Sequence, residues 1–213
     1  MSDRNSRKRV VITGLGCISP VGNDVPTMWH SLLQGRSGVG PITLYDCRNF
    51  KCRIAAEVKG FDGSSLFGSR EARRMDRYTQ FALAATLEAL RDSKLKIDES
   101  NRDRIGVVIG SGIGGLWTMF EQMKVFLERG PSRVSPFLVP MMLPDTATGQ
   151  IAIHFGIRGP NLCIVTACAS GVNALGEAFE LIRAGRAKAA ITGGCETPIN
   201  PFSMSAFNNM GAL

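Results

Sequence analysis

Four short aliphatic runs, each followed by a glycine or a small-residue turn, constrain the fold more than any other feature of the sequence. They lie at residues 9–13, 105–109, 161–166 and 187–192. Runs of this length and ending are typical of buried strands. Segments with apolar residues at helical spacing lie between or after them, at residues 73–93, 117–127, 146–155 and 172–182. Strands that alternate with helices predict an α/β fold with an at least partly parallel sheet flanked by helices.

The remaining segments are less regular. Residues 53–58 fit a short edge strand, residues 35–41 are rich in turn formers, and residues 130–144 carry four prolines and are predicted to be irregular. The polar start MSDRNSRKR has no apolar signal-peptide core. We therefore predict a flexible basic N-terminus at residues 1–8 and one domain over residues 9–213. The final residues show no pattern of a terminating helix.

The composition excludes several classes of protein. Hydrophobic residues make up 44% and charged residues 20%, which is ordinary for a protein with a buried core. The longest apolar runs are too short for a membrane span. Six cysteines form no C-x-x-C pair and only two histidines are present, so we predict no metal site. Unpaired thiols without a secretion signal favour the cytoplasm. The net charge of +7 favours an acidic partner, but basic residues interleaved with aromatic ones are lacking, so nucleic acid is not expected.

Cys168 lies where the third aliphatic run gives way to a helical stripe. A helix N-terminus presents unpaired N–H groups and partial positive charge, which stabilise an anion, and the thiolate is the nucleophilic form of cysteine. Small neighbours at residues 167 and 169–171 leave room for a substrate, as in the nucleophile elbow of hydrolases. A buried structural cysteine is the alternative, and position alone leaves both open. The other five cysteines lack this context and are interpreted as structural.

Five segments together resemble the β-ketoacyl-acyl-carrier-protein (ACP) synthases, in that family's order and spacing. They are RKRVVITGLGCISPVGN at 7–23, RIGVVIGSGIGGL at 104–116, SPFLVP at 135–140, GIRGPN at 156–161 and TACASG at 166–171. Ile113 and Phe207 resemble the type II, long-chain elongating branch, whereas the DTACSSS of modular polyketide synthases is absent. The resemblance implies the N-terminal half of a thiolase-like fold, with a mixed, mostly parallel sheet. Full-length relatives are twice as long, so this half is expected to continue past Leu213.

The resemblance also implies a reaction. Cys168 would take an acyl group from acyl-ACP, and a carbanion from the decarboxylation of malonyl-ACP would then attack the acyl thioester to give β-ketoacyl-ACP. The Cys168 backbone N–H would form one arm of an oxyanion hole. The family's histidines, in HGTxT and GHxxG segments, do not occur here, and His30 and His154 match no catalytic position. We expect this chain alone to be inactive in condensation and to need no cofactor.

The loop after the second run, residues 110–115, satisfies G-x-G-x-x-G. A proline-rich segment follows instead of a second strand that ends in an acidic residue, so we do not predict nucleotide binding. By resemblance this loop lines an acyl channel. Ile113 would contact the acyl chain with Phe207 and, across a dimer interface, Leu138, while Ala167 lies beside the nucleophile.

Arginines concentrate before and at the start of the predicted helix at residues 73–93. By resemblance Arg70, Arg73 and Arg74 form a docking patch for the acidic ACP, with Arg133 as a second contact. A solvated charged face, partly balanced by Glu71 and Asp76, fits the same residues. Gly211 stands where relatives often carry a basic residue.

Two other functions stay open at this point. One is a non-catalytic half that binds ACP or a synthase subunit, and the other is a ketosynthase acting on polyketides or CoA thioesters. A homodimer is expected from the family. The sequence does not indicate the acyl chain length or the organism.

Overall fold

The computed structural model describes residues 8–213, so all but the last residue of the predicted flexible N-terminus lies outside it. The helices of this part are α1 Val25–Leu33, α2 Gly63–Phe67, α3 Ser69–Ala72, α4 Arg77–Ser93, α5 Leu116–Arg129, α6 Leu138–Met142, α7 Thr146–Phe155, α8 Ser170–Arg183 and α9 Pro201–Asn209. The strands are β1 Val39–Pro41, β2 Ile54–Ala56, β3 Ile105–Gly110, β4 Asn161–Ile164 and β5 Ala189–Gly194.

The main sheet has the order β4-β3-β5, and both pairings are parallel. In its register Val108 lies opposite Leu162 on one side and Thr192 on the other. All six residues of β3 are buried. A parallel central strand covered on both faces is the α/β arrangement that the alternating pattern predicts, so that prediction is confirmed.

Helices cover both faces of β3. Ile105, Val107 and Ile109 pack with residues of α4 and α7, whereas Val108 packs with residues of α8. This alternation follows from the two-residue period of a strand. Val107 and Val108 are fully buried, and each contributes about 1.5–3 kcal/mol of hydrophobic stabilisation. The sheet therefore forms the middle of three layers.

Capping residues set the helix ends. The Asp76 side chain accepts a hydrogen bond from the Tyr78 amide at 3.2 Å, so α4 begins at Arg77 and not at the predicted residue 73. Lys94, with φ of 57°, ends the same helix. The bounds of α7 agree with the predicted 146–155, because Gly156 ends it in a left-handed conformation.

The prediction of a buried strand at residues 9–13 is wrong. Val11 and Ile12 are 65% and 76% exposed, and this segment is not part of a sheet within residues 8–213. The glycines that follow this run, Gly14 and Gly16, pack against the backbone of α4, and this contact directs the segment along the helix and not to an edge of the sheet. The chain instead runs along α4, where Asp92 accepts a hydrogen bond from the Leu15 amide at 2.9 Å and Glu88 accepts one from the Cys17 amide at 2.8 Å.

Three shorter segments agree with their predictions to different degrees. The predicted edge strand at 53–58 is confirmed as β2, which pairs antiparallel with β1 in a segment predicted only as turn. The irregular stretch at 130–144 contains a 3-10 helix, Pro131–Arg133, and α6. The absence of a terminating helix is also contradicted, since α9 forms near the C-terminus with a capping box at Asn200 and Ser203.

Candidate functional site

The carboxyl ends of the three parallel strands meet at one edge of the sheet. Gly110 lies in register with Ile164 of β4 and with Gly194 of β5. The segments that follow are the loop Ser111–Gly115, the turn that holds Cys168, and the pair Cys195 and Glu196. Ligands of α/β sheets bind at this edge, and here it brings together three segments distant in the sequence.

The turn Thr166–Ser170, called the cysteine turn below, joins β4 to α8 through a tight hydrogen-bonded bend. Ala167 has φ of 50°, in the left-handed region that non-glycine residues seldom adopt. The buried Ser170 hydroxyl accepts a hydrogen bond from the Thr166 amide at 2.9 Å and donates one to the Ala167 carbonyl at 2.6 Å. Both bonds span Cys168, so Ser170 holds the backbone on either side of this cysteine.

The first turn of α8 lies directly against the end of β3. A Cβ atom on Gly110 would lie 2.2 Å from the carbonyl carbon and oxygen of Ser170, which only glycine avoids. The close approach fixes the start of α8 relative to the sheet. The turn from strand to helix therefore lies at Cys168, as the sequence pattern predicted.

Cys168 is exposed, whereas the other five cysteines are partly buried. Burial raises the pKa of the Cys17, Cys163 and Cys195 thiols above the ordinary value, which makes each a poorer nucleophile at neutral pH. Within residues 8–213 the bonds of the cysteine turn use the amides of Thr166, Ala169 and Ser170, and none uses that of Cys168. Cys168 thus offers an accessible thiol and an available N–H on one residue.

The structure brings two of the four predicted acyl-binding residues close to Cys168. Ala167 precedes it, and a Cβ atom on Gly112 would lie 3.5 Å from the Ala167 Cα atom, so the loop that carries Ile113 packs on the cysteine turn. Ile113 is 42% exposed. Leu138 and Phe207 lie on other elements, α6 and α9. Gly115 of the loop bonds to α6 through the Met142 carbonyl at 3.0 Å. The binding role of all four stays a prediction.

The two segments that carry the predicted docking arginines adjoin each other at the surface. Arg70, Arg73 and Arg133 are exposed, and Arg73 lines a cavity of about 300 Å³ together with Ser135, two residues after Arg133. The Arg74 guanidinium lies 4.9 Å from the ring centroid of Phe137 and 3.6 Å from Glu71. Contact with a partner stays a prediction.

The alternative interpretation of these arginines as a balanced charged face is only half supported. Glu71 does pair with Arg74. Asp76, however, is buried and bonded to Tyr78 and Thr118, so it does not lie on the exposed face. Arg70, Arg73 and Arg133 therefore keep exposed positive charges that form no ion pair within residues 8–213.

Glu196 is a site residue that the sequence analysis missed. Its Oε2 atom accepts hydrogen bonds from the amides of Gly112 at 2.7 Å and Ile113 at 3.1 Å, and one from the Ser111 hydroxyl at 3.4 Å. Burial raises its pKa, although the bonds from these donors oppose the shift. The available signal was a carboxylate two residues after the end of β5, a position at the sheet edge where ligands bind.

The two histidines lie elsewhere in the fold. His154 is on α7, with its ring centroid 4.7 Å from that of Phe155 and 6.1 Å from that of Phe67. His30 is exposed on α1. No group of three or more metal-ligating side chains is found between Lys8 and Leu213. In the same part of the chain, no helix has the length and apolar character that a membrane span requires.

Comparison with known proteins gives a family match over almost the whole chain. Residues 7–213 match the family model described as "Beta-ketoacyl synthase, N-terminal domain". The chain is 50% identical over 207 residues to 3-oxoacyl-[acyl-carrier-protein] synthase 2 of Synechocystis sp., which covers 97% of this chain and 50% of that protein. It is 49% identical over 209 residues to the protein of that name from Staphylococcus aureus strain COL, again with 50% of the relative covered. The chain therefore spans half the length of these curated relatives.

Solved structures give the same fold. The ishigamide ketosynthase/chain length factor matches with a TM-score of 0.88 and 30% identity, over 98% of this chain and 52% of that one. A type II polyketide synthase ketosynthase, in complex with its acyl-carrier protein and bound to the hexaketide, matches with a TM-score of 0.79 and 25% identity, over 96% of this chain and 55% of that one. The predicted N-terminal half of a thiolase-like α/β fold is confirmed.

Proposed function

Because the chain belongs to the β-ketoacyl synthase N-terminal domain family, we propose that it is the nucleophile-bearing half of a β-ketoacyl-ACP synthase of fatty-acid elongation. The observation that carries the proposal is the exposed thiol of Cys168, on a strained turn at the carboxyl end of a parallel sheet. An identity of 50% to 3-oxoacyl-[acyl-carrier-protein] synthase 2 supports an acyl thioester as the substrate.

The first step is acyl transfer to Cys168. The thiolate attacks the carbonyl carbon of acyl-ACP, a bond forms between that carbon and the cysteine sulfur, and the ACP thiol leaves. Negative charge develops on the carbonyl oxygen during attack. The Cys168 amide, which the cysteine turn leaves available, donates to that oxygen and lowers the barrier.

The second step is condensation. Malonyl-ACP loses carbon dioxide, and the resulting carbanion attacks the acyl thioester to give β-ketoacyl-ACP and to free Cys168. The histidines that support decarboxylation in the family have no counterpart in this sequence, since His30 and His154 lie on α1 and α7. We therefore assign acylation to this chain and condensation to a protein that also contains the second half.

The partner we propose is an acyl carrier protein. A structural neighbour is a ketosynthase in complex with its acyl-carrier protein, and the exposed Arg70, Arg73 and Arg133 offer a positive surface for an acidic protein. Electrostatic attraction of this kind speeds association and sets orientation.

We also propose a homodimer in the cytoplasm. Among residues 8–213, β4 is an edge strand of the main sheet, with Leu162 37% exposed. An unpaired edge of this kind accepts a second copy of the same strand. All six cysteines are unpaired, which fits a reducing compartment. Analytical ultracentrifugation of the chain tests the dimer.

A polyketide-type ketosynthase is the second candidate, because one of the structural neighbours is the ketosynthase of a type II polyketide synthase. Its identity to this chain is 25%, against 50% for the fatty-acid relative. The larger identity favours fatty-acid elongation.

The proposed function is tested by incubation of the chain with octanoyl-, dodecanoyl- and hexadecanoyl-ACP, followed by peptide mass spectrometry. We expect an acyl group on Cys168, none in Cys168→Ala, and no β-ketoacyl product when malonyl-ACP is added. If Cys168 is alkylated by iodoacetamide but takes no acyl group from ACP, the non-catalytic binding function replaces the proposal.

A further inference from the structure

Glu196 lies at the junction of the three segments that form the candidate site. It follows β5 by two residues, and its carboxylate reaches the loop Ser111–Gly115, which follows β3. That loop packs against Ala167 of the cysteine turn, which follows β4. One side chain thus bonds to the loop that lies beside the nucleophile, across 84 residues of sequence.

The bonds of Glu196 extend through most of the loop. Oε2 accepts from the amides of Gly112 and Ile113 and from the Ser111 hydroxyl. The Ser111 hydroxyl in turn accepts from the Gly114 amide at 3.1 Å. Three of its five residues, Gly112, Gly114 and Gly115, are glycines with little conformational preference of their own, so these bonds help to set its shape.

The environment of the carboxylate is unusual for a structural residue. Oε1 is buried and has no hydrogen-bond partner between Lys8 and Leu213, and no cation pairs with Glu196 among those residues. A carboxylate oxygen that is buried without a partner is costly. An unpartnered buried oxygen of this kind calls for an explanation, and one explanation is that the carboxylate fixes the geometry of a neighbouring segment.

We propose that Glu196 is a positioning residue that holds the Ser111–Gly115 loop against the cysteine turn and so sets where Ile113 stands beside an acyl chain on Cys168. This inference rests on the proposed function. Its consequence is that Glu196 influences which acyl chains fit, although its own atoms do not touch the reacting thiol.

The first test measures the loop directly. Amide hydrogen exchange, followed by mass spectrometry or NMR, is compared for the wild-type chain, Glu196→Ala and Glu196→Gln. In Glu196→Ala we expect exchange at Gly112 and Ile113 to rise by about tenfold or more, because a charge-assisted bond is lost. Glu196→Gln keeps an acceptor oxygen and should stay within about twofold of wild type. Unchanged exchange in Glu196→Ala overturns the proposal.

The second test measures the alkylation rate of Cys168 with two probes, iodoacetamide and N-octyl iodoacetamide, which differ by one alkyl chain. In Glu196→Ala we expect the ratio of the two alkylation rates to shift by about fivefold or more, while the rate with iodoacetamide stays within about twofold. Rescue of the ratio by Glu196→Gln separates positioning from general loss of stability. Glu128→Ala, an exposed change on α5, is the matched control and should leave both readouts unchanged.

The outcomes distinguish the positioning role of Glu196 from the proposed function of Cys168. Faster loop exchange with an unchanged probe ratio overturns the positioning role. If Glu196→Ala does not fold, Glu196→Asp replaces it, since the carboxylate is kept but withdrawn by one methylene, and the same two shifts are expected. Failure of acyl-ACP to acylate Cys168 counts against the proposed function alone, because hydrogen exchange needs no acyl chemistry.

Discussion

The carboxylate of Asp76 accepts two hydrogen bonds from Thr118, one from its amide at 2.8 Å and one from its hydroxyl at 2.7 Å. Its other oxygen accepts from the Tyr78 amide at 3.2 Å. One buried side chain therefore caps α4 and binds the first turn of α5. The helix α5 directly follows the Ser111–Gly115 loop. The bonds of Asp76 to Thr118 therefore hold the C-terminal end of this segment, and the bonds of Glu196 hold its N-terminal end.

Asp76→Ala should lower the free energy of unfolding by about 2–4 kcal/mol, since it removes a helix cap and leaves the Thr118 donors unpaired. Urea denaturation measures the change. Asp76→Asn keeps an acceptor and should cost less. Asp62→Ala removes an exposed cap of the short helix α2, and a loss as large as that of Asp76→Ala would contradict the role of the Thr118 bonds.

Gly110→Ala should destabilise the chain by about 3 kcal/mol or more, because its Cβ atom would collide with the backbone of Ser170. Gly176→Ala, in the middle of α8, meets open space. It should stabilise by about 0.5–1 kcal/mol, since alanine favours a helix interior over glycine. In thermal unfolding, the melting temperature should fall in Gly110→Ala and rise in Gly176→Ala. Shifts of the same sign would argue against the packing of α8 on β3.

Alkylation by a small excess of iodoacetamide at about pH 7.5 should modify Cys168 at least about tenfold faster than Cys163 or Cys195. Cys168 is exposed, whereas burial raises the pKa of the other two thiols. Peptide mapping against time measures the three rates. Urea at a denaturing concentration serves as the control, because the rates should converge when burial is lost. Preferential labelling of Cys195 in the native chain would be inconsistent with the structure.

Acid should weaken the β1–β2 region through Glu57. Burial raises the pKa of this carboxyl, but the bonds it accepts from Thr43 and Leu44 together outweigh burial and hold the pKa below its ordinary value of 4.5. A lowered pKa means that the ionised form stabilises the fold above pH 4.5, and that this contribution is lost as the pH falls below it.

The measurement is the free energy of unfolding against pH for wild type and Glu57→Gln. The decline below pH 4.5 should be shallower in the variant, which has no proton to bind at this position. Glu128→Gln, an exposed change, serves as the control for the loss of one carboxyl group. Identical slopes for Glu57→Gln and wild type would show that Glu57 does not contribute.

Charge reversal at Arg70 or Arg73 should weaken binding of an acyl carrier protein by about fivefold at low salt, and by less at high salt because exposed charges are screened. Titration calorimetry or surface plasmon resonance measures the affinities. Arg74→Glu should have a smaller effect, since Arg74 already pairs with Glu71 and lies over Phe137. Arg129→Glu makes the same charge change at the end of α5; an equal loss there would indicate a non-specific effect of net charge.

The cysteine turn could be predicted from its local sequence. An aliphatic run, small residues around Cys168 and a helical stripe occupy about twenty consecutive positions, and each signal acts on its own neighbours. The bounds of α7 were predictable for the same reason, since apolar spacing and the glycine that follows are local. Local steric preferences and caps act before any tertiary contact forms.

Which strands pair and which polar groups meet could not be predicted, because both depend on long-range contacts. Residues 9–13 have the composition of a buried strand, yet the chain packs along α4 directly after them and leaves Ile12 exposed. Glu196 reaches Gly112, and Asp76 reaches Thr118, only because the sheet brings distant segments together. Composition indicates whether a residue can be buried or can form a hydrogen bond. Its partner in the fold depends on which long-range contacts are most favourable, because each such contact must offset the entropy lost on closing a long loop.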